Sequence, residues 1–138
     1  MIEPPISPDV VMYLINAIYF KGQWTKRFDK KRTFTGTFNT IDGQKKEVQM
    51  MNTKDEIEYG DIDGTKIARM PYGNGKTAMY CILPQEDVNI NDYVQKLNED
   101  KWNELKESLS KTEDAILQIP RFKMEYGIKN LNDSLTEL

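Results

Sequence analysis

The stretch that decides the fold is LINAIYFKGQW at residues 14–24, which overlaps an apolar run, VVMYLINAIYF, at residues 10–20. This run is too short to span a bilayer and is rich in the branched and aromatic residues that fit a pleated sheet. Because no polar alternation interrupts it, we expect a central strand that is buried on both faces. Asn16 lies in the middle of the strand, so its amide needs a specific hydrogen-bond partner.

Turn signals after this strand predict antiparallel sheets. Asp42-Gly43 supplies the positive φ angles of a hairpin turn within FTGTFNTIDGQKKEVQMM, residues 34–51. Asp63-Gly64 and Gly73-Asn74-Gly75 separate the runs EIEYGDI, TKIARMPY and KTAMYCIL, which predicts a three-stranded meander. The predicted core residues of the meander are Ile57, Tyr59, Ile62, Ile67, Met70, Met79, Cys81 and Leu83.

The rest of the chain predicts two short helices and a divided strand. One helical stripe comprises Ile90, Tyr93, Val94 and Leu97, and a second comprises Trp102, Leu105 and Leu109 after a cap at Asn98. Pro120 cannot donate to a strand ladder, so we expect it to split AILQIPRFKMEY, residues 115–126, into two strands. LNDSLTEL at 131–138 has the pattern of a helix beginning. The predicted fold class is α+β, with mixed helices and antiparallel sheets.

Composition excludes several classes of function. The 138 residues suit one domain, and 19 Lys and Arg against 22 Asp and Glu give a net charge of −3, which argues against nucleic-acid binding. The sequence has no His, which removes the common catalytic triads and dyads, and Cys81 is its single cysteine. We therefore predict no catalytic residue, cofactor or metal site, and no membrane partner. Two near matches to ligand-binding motifs, Gly75-Lys76-Thr77 and Asp61 to Gly64, are interpreted as turns.

The segment LINAIYFKGQW closely resembles the hallmark segment of the serpin family, the third strand of the large central sheet and the turn after it. It is followed at similar spacing by Phe28, Thr33 and Phe38, then by EVQMM, ARMPY, MYCILP and LQIPRFKMEY leading into LNDSL. The resemblance covers residues 1–138, which are interpreted as a partial serpin domain containing a hairpin, a meander, two short helices and a Pro-split strand pair.

The resemblance implies structural roles for four residues. Asn16 resembles the shutter asparagine, which in the family bonds a histidine on the fifth strand of the large sheet. Trp24 and Thr33 resemble residues of the breach, where an inserting loop first enters that sheet. Arg121 occupies the place of a basic residue that pairs with an acidic hinge residue in many members.

The resemblance also implies a mechanism. Serpins offer an exposed reactive loop to a serine or cysteine protease, and the cleaved loop inserts as an extra strand that distorts the acylated enzyme. We expect the N-terminal helices, the fifth strand, the loop and the closing barrel strands to lie outside these 138 residues. The chain alone is then not inhibitory, and the choice of target protease is expected to reside largely in the loop. The alternative hypothesis is an interaction module that adds a complementary serpin segment, or a second copy, to an exposed strand edge.

We predict that the isolated chain self-associates through residues 10–20 or 121–126, because the partner strands implied by the resemblance lie outside the sequence. Light scattering at increasing protein concentration should show dimers or larger assemblies. A stable monomer that binds no dye for exposed apolar surface would contradict this prediction.

Overall fold

The computed structural model describes residues 20–123, and nearly all of them belong to one compact unit, Lys21–Arg121. Residues 1–20 and 122–138 form a second unit, of which the structure describes Phe20, Phe122 and Lys123. The elements of the first unit are a 3-10 turn at Lys30–Arg32, β1 (Phe34–Asn39), β2 (Lys45–Ile62), β3 (Thr65–Tyr72), β4 (Thr77–Leu83), α1 (Ile90–Lys96), α2 (Glu99–Glu107) and β5 (Ser110–Pro120).

The long strand β2 organises a five-stranded antiparallel sheet. Met50 is opposite both Phe34 of β1 and Pro120 of β5, so β1 and β5 lie on opposite edges of β2. Tyr59 is likewise opposite Ala68 of β3 and Ser110 of β5. Strands β1 and β3 therefore share one edge of β2, β5 lies along the other, and β4 extends the sheet beyond β3.

The sequence suggested separate strands at EVQMM and EIEYGDI, but the structure joins them into the single strand β2. Between Asp55 and Ile57, β2 advances two residues while β5 advances three, from Ala115 to Thr112, so a β-bulge lies on β5, where Asp114 has a φ of 55°. Strand β5 pairs with β2 from Met50 to Tyr59, across the polar stretch 52–55 that the sequence pattern marks as a break. Strand β2 is therefore continuous there.

The predicted turns are confirmed, with one correction. Asp63 and Gly64 have φ angles of 50° and 80°, which the two-residue turn between β2 and β3 requires. In the first hairpin, by contrast, Gly43 has φ of 79° and Asp42 does not enter the positive region. Gly43 N–H donates to Thr40 C=O at 2.9 Å, so this loop is a longer turn that ends in a left-handed glycine.

Both predicted helices form, and each begins at an asparagine cap. The Asn89 side chain accepts from the backbone N–H groups of Asn91 and Asp92, which starts α1. The Asn98 side chain accepts from Lys101 N–H at 2.9 Å and starts α2. These bonds satisfy donors that an uncapped helix would leave unpaired, so Asn98 separates the two helices as expected.

The core lies around β3 and α2. Ile67 is fully buried, and the other buried apolar residues among the described ones are Ala68, Met70 and Leu105. The prediction was right for Ile67 and Met70 but wrong for Leu83, which is 64% exposed at the last position of β4, next to Pro84. The remaining predicted core residues, Ile57, Tyr59, Ile62, Met79 and Cys81, are half-buried.

The stripe of α1 is less buried than its pattern suggested, since Ile90 and Val94 are 43% and 59% exposed. Strand β5 ends at Pro120, and the second strand expected after this proline stays a prediction. Residues 121–123 are not in a strand, and residues 124–126 lie outside the described part. The predicted helix at 131–138 and most of the strand at 10–20 also lie outside it.

Replacing Ile67 with alanine should lower the free energy of unfolding by about 2–5 kcal/mol, because a fully buried side chain leaves a cavity that the sheet cannot close. The matched control is Ile116→Ala, the same change at a strand position that is 67% exposed. We expect the control to cost less than about 1 kcal/mol in urea unfolding. Equal losses for the two variants would contradict this assignment of the core.

Candidate functional site

A cleft opens at the edge that β1 and β3 share. Strand β1 pairs with β2 up to Met50, and β3 begins to pair with it at Glu58, so the residues between them face no strand on that edge within the described chain. The end of β3, Met70 to Tyr72, continues past its last pair with β2. The segment 23–28 enters the resulting fork. We call this region the fork cleft.

Trp24 anchors the segment to β3. Its indole stacks on the ring of Tyr72, with centroids 4.3 Å apart and an angle of 17° between the planes. The Phe28 ring meets the indole edge to face at 6.4 Å. Trp24 and Tyr72 also form an antiparallel bridge, so backbone and side chains hold the same pair together. This aromatic cluster, Trp24, Phe28 and Tyr72, gives the segment a fixed position on the sheet.

Backbone bonds on both sides of Trp24 complete the attachment. Thr25 N–H donates to Pro71 C=O at 2.9 Å, and Gly73 N–H donates to Gln23 C=O at 2.8 Å. The Thr25 hydroxyl donates to Gly73 C=O at 2.8 Å. Segment 23–25 therefore behaves as a short extra strand beside the end of β3.

Lys26 joins the segment to the stretch of β2 that lies between its pairings with β1 and β3. Its Nζ lies 3.0 Å from Asp55 Oδ1 and 2.8 Å from the Glu56 carbonyl oxygen. The hydrogen bond from Lys26, followed by the bond from Glu56 N–H, lowers the pKa of Asp55. A lowered pKa means that this contact favours the fold above the ordinary pKa of aspartate. The contribution is lost as the pH falls through the lowered value.

A cavity of about 200 Å³ lies inside the fork cleft. Its apolar wall includes Trp24, Phe28, Ile57, Met70 and Leu117, and its polar rim includes Lys26, Asp55, Glu58, Arg69 and Lys111. Arg69 forms an ion pair with Glu58, directly opposite it across the β2–β3 ladder. The hydrogen bonds to Glu58 and then to Tyr80 raise the pKa of Arg69.

The four residues carried over from the resemblance do not form one cluster in the described part. Trp24 lies in the fork cleft. Thr33 is half-buried at the end of the 3-10 turn, where its N–H donates to Lys30 C=O at 3.3 Å. Arg121 is exposed, and its N–H donates to Gln49 C=O at 2.8 Å, which extends the β5–β2 ladder by one bond. Asn16 lies outside the described residues.

The described residues hold no group of three or more His, Cys, Asp or Glu placed to bind a metal ion. The Cys81 thiol is half-buried in β4 and lies 3.9 Å from the Met70 sulfur. Burial raises the pKa of Cys81, which makes its thiolate, the reactive form, scarcer at neutral pH. Within residues 20–123, neither helix is long and apolar enough to cross a membrane.

Comparison with known proteins identifies the architecture. The family model described as Serpin (serine protease inhibitor) matches residues 1–138. The chain belongs to the serpin family. The solved structure of the thermophilic serpin Tengpin in its native state superposes with a TM-score of 0.82 at 29% identity, and the match covers 96% of this chain and 33% of Tengpin.

Serpin relatives occur in distant organisms. An uncharacterized serpin-like protein of Methanosarcina mazei is 34% identical over 133 residues, which are 96% of this chain and 31% of that protein. Intracellular coagulation inhibitor 2 of Tachypleus tridentatus is also 34% identical, over 91% of this chain and 31% of its own length. The chain thus spans about a third of the length of the serpins it matches. The sequence-based recognition and the α+β fold class are both confirmed.

Sequence reasoning missed most partners of Trp24. Phe28 was noted only for its spacing, and Tyr72 only as part of a strand run. Lys26 and Asp55 carried no motif at all, because their contact joins residues 29 positions apart. One signal was available in the sequence. Gly73 and Gly75 mark the end of β3 directly after Tyr72, so the aromatic ring at this strand end could pack against another segment of the chain.

A double-mutant cycle on Trp24 and Tyr72 should reveal a coupling of about 0.5–1.5 kcal/mol, the usual value of an aromatic pair beyond its buried area. The variants are Trp24→Leu, Tyr72→Leu and their combination, and stability is measured by urea unfolding. Trp24→Phe in place of Trp24→Leu is the matched control, since a phenyl ring can keep most of the stacking. Strict additivity of the two leucine substitutions would show that the stack contributes no specific stability.

Proposed function

We propose that this chain forms the central part of a serpin-type protease inhibitor. The whole protein would trap a serine or cysteine protease by inserting its cleaved reactive loop into the large sheet. The 138 residues alone would neither inhibit a protease nor catalyse a reaction. Family membership over residues 1–138 supports the general function. The observation that carries the specific proposal is the attachment of Trp24 in the fork cleft.

Loop insertion needs a firm entry point, because an incoming strand can pair only with an edge that holds its position. Segment 23–28 directly follows the proposed third strand of the large sheet, residues 10–20. The aromatic cluster, the backbone bonds to Pro71 and Gly73 and the Lys26–Asp55 ion pair fix this segment against β2 and β3. We therefore assign Trp24 the role of holding the end of that strand at the breach.

The roles of the other three residues are proposals of the same kind. Thr33 would support the breach from the 3-10 turn that leads into β1. Arg121 would use its exposed guanidinium to pair with an acidic hinge residue, while its backbone stays on the β5–β2 ladder. Asn16 would bond a histidine of the fifth strand.

The first test uses the 138-residue chain alone. After incubation with trypsin, chymotrypsin, elastase and papain, we expect full protease activity and no complex that survives denaturing electrophoresis. A stable covalent complex with any of these proteases would overturn the proposal that the 138-residue chain alone does not inhibit a protease.

The second test transplants the chain. Residues 1–138 replace the matching third of intracellular coagulation inhibitor 2, and the chimera is incubated with the protease that the intact relative inhibits. We expect a covalent complex, and we expect Trp24→Leu in the chimera to shift the outcome from complex towards cleaved, released inhibitor. Ile41→Ala, a change at a 63% exposed residue in the turn between β1 and β2 that does not line the fork cleft, is the control and should behave like the parent chimera. A folded chimera that is only cleaved as a substrate would contradict the proposed function.

A further inference from the structure

Strand β1 is an unguarded edge of the sheet. It pairs with β2 on one side, and no described strand lies on the other. Five of its six residues are exposed, including Phe34 at 42% and Phe38 at 45%. Proteins usually protect a free edge from pairing with another chain by placing charged residues or proline on it. The strand FTGTFN contains neither.

The other outer strands differ from β1 in this respect. Strand β5 carries Lys111, Glu113 and Asp114, and Asp114 has a φ of 55° that breaks the regular strand geometry. Strand β4 has no charged residue, but its five central residues are half-buried. Among the described strands, β1 therefore combines an exposed backbone edge with uncharged side chains.

Hydrogen-bond positions show which backbone groups of β1 are available. Thr40 N–H donates to Gln44 C=O at 2.9 Å, in the same register that places Phe34 opposite Met50. Bonding positions alternate along an antiparallel strand, so the even-numbered residues of β1 point their N–H and C=O groups at β2. The backbone groups of Thr35, Thr37 and Asn39 consequently point away from the sheet.

The sequence of β1 reads the same in both directions around Gly36: Phe34, Thr35, Gly36, Thr37, Phe38. We propose that β1 pairs with β1 of a second copy of this chain, antiparallel, about a two-fold axis at Gly36. Thr35 of each copy then lies opposite Thr37 of the other. These are the outward-pointing positions, so each Thr35–Thr37 pair exchanges two backbone hydrogen bonds.

The side chains suit the same register. Cross-strand threonine pairs stabilise antiparallel sheets, and two such pairs form on one face. On the other face, Phe34 of each copy lies opposite Phe38 of its partner, at a non-bonded position where facing side chains come closest. Gly36 occupies the axis. A Cβ there would lie 3.3 Å from the Phe34 ring, so the glycine leaves room for the aromatic side chains.

The pairing makes a small, two-fold symmetric interface, and such interfaces are weak. It uses no residue of the 10–20 or 121–126 segments, so it is a different association from the one predicted from the sequence. It also does not depend on protease inhibition.

The test compares two double variants of the 138-residue chain that differ at one position. Thr35→Lys with Thr37→Lys places like charges opposite each other twice in the dimer. Thr35→Glu with Thr37→Lys places opposite charges there twice. Both variants carry the same lysine at position 37, opposite Glu47 of their own β2, so the local fold experiences the same change there.

Sedimentation velocity from about 10 μM to about 1 mM covers the affinity expected of a small interface. We expect the variant with Glu and Lys to dimerise about tenfold more tightly than the variant with two lysines at low salt. The difference should shrink in high salt, which screens exposed charges. Equal self-association of two folded variants, or a wild-type chain that stays monomeric across this range, would overturn the proposal.

A cross-linking measurement tests the axis directly. In a Cys81→Ser background, Gly36→Cys places the two thiols opposite each other at the axis, within disulfide reach after a small shift of the Phe34 ring. Asn39→Cys is the control, because its two copies lie about 20 Å apart in this register. We expect mild oxidation to cross-link the Gly36→Cys variant and to leave the control uncross-linked. Equal cross-linking of the two variants, or none at position 36 in a folded protein, would overturn the register.

Discussion

The structure depends on β2 remaining one strand from Lys45 to Ile62. Its first part pairs with β1, its last part pairs with β3, and β5 spans the join on the opposite edge. If the chain turned away at Asp55, two small sheets would form and no fork would separate β1 from β3. This continuity lets β2 keep both sets of neighbours, while a stretch of its edge between them has no strand partner among the described residues. That exposed stretch is what segment 23–28 covers.

This constraint also gives the sheet two kinds of contact. The hairpins β1–β2, β2–β3 and β3–β4 close short loops, and turn residues such as Gly43 and Gly64 favour them locally. The β2–β5 ladder instead joins Met50 to Pro120, and the Trp24–Tyr72 contact closes another long loop. Closing a long loop costs more conformational entropy than closing a short one. We therefore expect these pairings to form after the hairpins during folding. The fork cleft is consequently assembled from late contacts.

The parts that the sequence predicted are those that local chemistry determines. Asp63-Gly64 needs left-handed backbone and Asn98 caps a helix, and each effect acts within a few residues. The continuity of β2 was missed because the polar residues 52–55 look like the end of a strand, and the pairing with β5 that keeps them in the sheet joins residues far apart in sequence. Leu83 was misplaced because alternation assigns a face but does not say whether another element covers it. The partners of Trp24 were missed for the same reason, since nothing near residue 24 specifies Tyr72.

The family resemblance singled out Trp24 by analogy, where local reasoning gave no ground for choosing it. Trp24 matters in this chain because three kinds of contact converge on its segment: ring stacking, strand-like backbone bonds and a Lys26–Asp55 ion pair. The β1 edge is separated from these contacts along β2, since β1 pairs with residues 45–50 and the ion pair lies at residue 55. A second copy added to the outer edge of β1 would therefore leave the fork cleft open.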